Sequence, residues 1–179
     1  YDIMYRTAQY LQKANLEEIE EKMDDVEVIY KWAKFKVTEV YCDNEFKKSM
    51  DSYASKRDPP LTINYAAANE HVPRAERNNR TIKDRVRENY YRLPYHTLPR
   101  TMVKYMVMES ARKLNFFPNK NGVFKYFSPR MILHHENLDC KKDLQFAFGQ
   151  YIQAHAKPDP SNTNAPRANN AIYLRPMCN

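Results

Sequence analysis

Apolar spacing alternates between two and three-to-four along the first 65 positions, and no other feature of the chain restricts its fold as much. Residues 3–11 (IMYRTAQYL) mix β-branched and aromatic side chains with polar ones in rough alternation, the pattern of a half-buried edge strand. Leu16, Ile19, Met23, Val26 and Ile29 or Tyr30 then recur at three and four, with Asn15 placed to cap the first turn. An amphipathic helix with an acidic outer face follows for 16–32. Residues 36–42 (KVTEVYC) alternate around Val37, Val40 and Tyr41 and stop at Asp43-Asn44-Glu45, so a carboxylate sits at a strand's carboxyl end. A short helix over 46–53, the break at Arg57-Asp58-Pro59-Pro60 and a short strand over 61–65 complete the series. Strand, helix, strand, helix, strand predicts an α/β fold.

Two longer helices follow. The first runs over 72–90 through Val72, Ala75, Ile82, Val86 and Asn89 or Tyr90, with Pro73 in its first turn and Arg and Lys crowding its other face. The second covers 98–115, introduced by Pro99 and ended by Phe116-Phe117-Pro118, with Met102, Val103, Met106, Val107, Ala111 and Leu114 as core residues. Ser128-Pro129 opens a short helix through Leu133, and residues 143–154 alternate like a strand pair around Gly149. Residues 157–170 (KPDPSNTNAPRANN) read as a loop or linker.

Composition narrows the function. The 179 residues suffice for one medium domain, and 29 Lys and Arg against 22 Asp and Glu leave a formal charge of +7, a field that attracts polyanions such as nucleic acid. Only Gly122 and Gly149 are available, which excludes phosphate-cradling P-loops and dinucleotide fingerprints. Cys42, Cys140 and Cys178 lie too far apart for a zinc knuckle or a disulfide framework, and a reducing compartment is expected. No run approaches the ~20 apolar residues of a membrane span, so no membrane partner is expected; Tyr1 follows no signal-like stretch and reads as a cut end.

Two segments can carry chemistry: residues 40–46 (VYCDNEF) and 69–81 (NEHVPRAERNNRT). Phosphoryl transfer from a phosphodiester uses two hard cations held by carboxylates converging from separate elements. Asp43 at a strand end and Glu76 in a helix's first turn, 33 positions apart, can share such a metal. Arg80, Lys83 and Arg87 follow Glu76 on one side of the helix, next to Arg77, and can meet phosphates. Taken singly, Asp43 also reads as a turn or N-cap residue and Glu76 as a solvated carboxylate beside Arg80. The stripe also reads as a solvent face salt-bridged by Glu70, Asp84 and Glu88.

These segments resemble those of copia-type retrotransposon integrases, members of the ribonuclease-H-like superfamily. VYCDNEF is similar to that family's second-aspartate motif, and VPRAERNNRTI at 72–82 to its glutamate motif. Downstream, FSPRMIL at 127–133 and DLQFAFG at 143–149 resemble the segments that follow the core. The resemblance implies a partial ribonuclease-H-like fold over 1–118, a mixed sheet with flanking helices, then a small helical and β extension over 119–156 and a tail over 157–179. It makes Asp43 and Glu76 catalytic ligands of Mg2+ or Mn2+, and Arg80 and Lys83 contacts to DNA; Arg77 and Arg87, on the same basic helix, are expected to bind nucleic acid with them. The intact parent would process 3′ ends and transfer strands as a homo-oligomer on element and target DNA, in the nucleus or a cytoplasmic virus-like particle. Ala66-Ala67-Ala68-Asn69-Glu70-His71 stands where the family has a glycine-containing loop, and the family's first aspartate falls before the region matched by IMYRTAQYL. A catalytically inactive nucleic-acid-binding relic and a protein-docking domain are the alternatives.

The remaining signals are weaker. His71 could touch DNA or metal or simply sit in an exposed loop, and His134-His135 has only Cys140 near it. Tyr90-Tyr91, Tyr95 and Phe116-Phe117 lie beside basic residues as a base-stacking surface would, though burial explains most aromatics.

Overall fold

The computed structural model of the protein describes residues 3–13, 15–66, 73–155 and 166–176. It is a mixed α/β structure. His71, Cys178 and the loop expected before the basic helix lie outside the described residues.

The first helix, α1 (Leu16–Trp32), forms where the three-four spacing predicts it, and the Asn15 side chain caps it by accepting from the Glu18 amide at 3.0 Å. Its acidic face is only partly an outer face. Glu20 accepts from Ser52 Oγ at 2.9 Å, Asp24 from Tyr53 Oη at 3.0 Å, and the buried Glu27 lies 3.5 Å from Arg57. Carboxylates at this helical spacing share one side of α1, and that side docks on α2 (Lys47–Ser55), whose polar groups repay their desolvation.

Strand β1 (Glu39–Cys42) pairs in parallel with β2 (Thr62–Tyr65), with Glu39 opposite Thr62 and Cys42 opposite Tyr65. Parallel strands need a crossover, and α2 supplies it. Met50, Tyr53 and Leu61 form the buried centre of this unit, with Met23, Val40 and Ile63 packed around them.

Residues 3–11 do not form the predicted strand. The Arg6 amide donates to Asn115 Oδ1 at 2.8 Å and Asn115 Nδ2 donates to the Arg6 carbonyl at 2.6 Å. A side-chain amide thus takes the place of a neighbouring strand and satisfies one backbone rung. The alternation was real, but a ladder partner is a tertiary matter.

Helices α3 (Pro73–Tyr91) and α4 (Arg100–Lys113) pack on each other. Leu93, Met102, Met106 and Phe148 are buried between them and the later chain, with Val86, Tyr90 and Leu174 alongside. Ser128 caps α5 (Pro129–His134), accepting from the Met131 amide at 3.2 Å.

The strand pair predicted within residues 143–154 is replaced by a helical turn, α6 (Cys140–Asp143), and one strand, β3 (Tyr151–His155). Its antiparallel partner, β4 (Ala168–Ile172), comes from the stretch that reads as linker and tail. The Asn-rich composition suggested a loop, and pairing with β3 satisfies its backbone groups instead. Gly149 makes the corner at φ +77°, donating to the Tyr173 carbonyl at 2.8 Å.

Candidate nucleic-acid interface

Asp43 directly follows β1, at the carboxyl end of the parallel pair, where open α/β sheets present side chains to ligands. Its carbonyl accepts from the Phe46 amide at 3.1 Å, starting a single 3-10 turn over Asn44–Phe46. The carboxylate is exposed and makes no capping hydrogen bond. The turn-residue reading therefore accounts for the backbone of Asp43 and leaves its side chain unexplained. Asn44 Nδ2 donates to the Ala66 carbonyl at 2.6 Å, which fastens this turn to the end of β2. Burial pushes the Cys42 thiol above its ordinary pKa, and the negative charges of Asp43 and Asp51 add to the effect.

Glu76 lies exposed in the first turn of α3. Ile82, Val86 and Tyr90 recur every four residues and turn one stripe of this helix inward. The other stripe leaves Arg77, Arg80, Lys83 and Arg87 in solvent. Arg87 Nη1 pairs with Asp84 at 2.8 Å, and Arg85 pairs with Glu88, so part of the face is the salt-bridged surface that the alternative predicts. Among the described residues no carboxylate lies within ion-pair distance of Arg77, Arg80 or Lys83. Among the described residues, three cations over two turns of helix are thus without a carboxylate.

Asp43 belongs to the β1–α2 unit and Glu76 to the α3–α4 unit, and residues 67–72 between them lie outside the described residues. Among the described residues, His, Cys, Asp and Glu nowhere gather in a group of three that could hold a metal ion. A hard divalent cation needs oxygen ligands that converge on it, and Asp43 and Glu76 sit in separate units of the structure.

The aromatic surface is likewise divided. Tyr91 and Phe117 are exposed at 82% and 58%, whereas Phe116 is buried and Tyr90 and Tyr95 are half-buried.

Sequence reasoning missed a second concentration of charge. Arg6, Arg112, Arg130, Asp143 and Arg175 converge on a cavity of about 560 Å3. Glu109, fully buried in α4, accepts from Arg112 Nε at 2.7 Å and Nη2 at 2.9 Å. Asp143 bridges Arg130 at 2.7 Å and Arg112 at 3.8 Å. Burial by itself would raise the Asp143 pKa, but hydrogen bonds from Arg130 and the Asp139 amide outweigh it and hold the carboxyl below its ordinary value. A carboxylate within the apolar repeat of α4, between Met106 and Ala111, was the available signal. No protein-family model, curated protein or solved structure matches the chain.

Proposed function

We propose that this chain is a DNA-binding portion of a copia-type retroelement integrase, and that α3 is the helix that grips the phosphate backbone. The observation that carries the reading is the exposed trio Arg77, Arg80 and Lys83 opposite the buried stripe of α3, which among the described residues has no carboxylate partner. The motif order along the chain supports the lineage, and the placement of Asp43 beyond a parallel strand agrees with the position such a carboxylate requires. Asp43 and Glu76 would contribute two carboxylates toward Mg2+ or Mn2+, and further ligands must complete the site before strand transfer can occur.

Fluorescence anisotropy of a labelled DNA duplex tests this. The Arg80→Glu/Lys83→Glu double variant should lower affinity and flatten the salt dependence, since each lost phosphate contact removes about 0.9 from the slope of log K against log salt. Unchanged affinity would favour the protein-docking alternative. The catalytically inactive nucleic-acid-binding relic is the other alternative. That reading predicts the same DNA affinity with magnesium and with excess chelator at matched ionic strength.

A further inference from the structure

We propose that the cavity between the N-terminal segment, the end of α4 and α5 binds a small phosphoryl dianion, either free phosphate or a phosphate monoester. The argument rests on an imbalance of charge. Arg112 and Lys113 share Glu109, at 2.7 and 3.4 Å, and Arg130 takes Asp143 at 2.7 Å and Glu136 at 2.8 Å. Arg6 and Arg175 line the same cavity, and among the described residues neither has a carboxylate partner. Among the described residues, Arg6 Nη1 donates to the Met4 carbonyl at 3.2 Å and Asn119 Oδ1 at 3.3 Å, and its buried Nε has no acceptor. Arg175 Nε reaches only the Pro176 carbonyl, at 3.4 Å.

Among the described residues, four guanidiniums (Arg6, Arg112, Arg130 and Arg175) line the opening against two carboxylates, Glu136 and Asp143, and the buried Glu109 is shared between Arg112 and Lys113 behind the wall. His134, also on the wall, adds no further charge as a neutral ring, the form that burial favours by holding its pKa below the ordinary value. A half-buried guanidinium without a counter-ion is costly to desolvate, and burial alone lowers the Arg6 pKa. An incoming dianion relieves that cost. A phosphate monoester carries about two negative charges near pH 7 on three acceptor oxygens, the geometry that guanidinium forks meet. The volume of about 560 Å3 suits a small molecule.

Isothermal titration calorimetry on the whole chain tests this with inorganic phosphate, glycerol 2-phosphate and adenosine monophosphate, at constant ionic strength. Saturable one-to-one binding is expected, weakened about tenfold or more by Arg6→Gln and by Arg175→Gln but unchanged by Arg80→Gln. The tightest of the three probes identifies the source of the phosphoryl group. Because each glutamine removes an uncompensated charge, both variants should keep a urea midpoint no lower than the parent, which separates lost binding from lost folding. No saturation by about 10 mM for any probe, equal weakening by Arg80→Gln, or succinate binding as tightly as the phosphates would overturn the proposal.

Discussion

Replacing Gly149 with alanine should destabilise the chain by about 2–5 kcal/mol, for two separable reasons. The backbone there is at φ +77°, where a Cβ costs about 1–2 kcal/mol. That Cβ would also stand 2.2 Å from Leu93 Cδ2, inside the α3–α4 core, and forcing the core to give way costs about a further 1–3 kcal/mol. For a chain of this size the sum corresponds to a fall in Tm of about 4–20 °C, readable by circular dichroism or calorimetry. The two causes separate in a double-mutant cycle. Leu93→Ala removes the atom that clashes, so Gly149→Ala placed on that background should keep the backbone penalty and shed the steric part, about 1–3 kcal/mol less than additive. A Gly149→Ala variant melting within about 1 °C of the parent would refute the corner geometry. Strict additivity with Leu93→Ala would refute the contact.

Two further expectations concern the buried charges. Glu109→Ala should cost about 3–5 kcal/mol in urea unfolding, because it takes from Arg112 and Lys113 the fully buried carboxylate they share; a loss under about 1 kcal/mol would mean that Asp143 or water already compensates the cluster. Asp143 has a folded-state pKa below its ordinary value, so its stabilising contribution is present above the unfolded pKa and disappears as pH falls through the folded one. The stability gap between the parent and Asp143→Asn should accordingly be open at neutral pH and close below about pH 4, and a gap that persists at about pH 2 would sink the ion-pair account.

Local pattern was sufficient wherever an element is held by its own residues. Asn15 and Ser128 capped the helices they precede, the three-four spacing marked α1 and α3, and the stop after Cys42 put Asp43 at a strand end. The basic stripe of α3 was legible for the same reason, since helical geometry turns spacing into a face. Pairing was not legible, because a strand pattern states which side is apolar but not what lies across the ladder. Residues 3–11 therefore lie against the Asn115 amide rather than beside a strand, and Ala168–Ile172 pairs with Tyr151–His155 despite a linker-like composition. The arginine-lined cavity was hidden for a deeper reason. Arg6, Arg112, Arg130 and Arg175 are ordinary surface-type residues along the chain, and only packing brought them around one opening and, among the described residues, gave carboxylates to some and none to others. Sequence by itself determined the longer helices, the end of β1 and which helix face carries charge, since those follow from contacts a few residues apart. Tertiary structure decided which charges around the cavity are compensated, because only the packing of segments distant in the chain gives Arg130 its pair with Asp143 and leaves Arg6 without a carboxylate among the described residues.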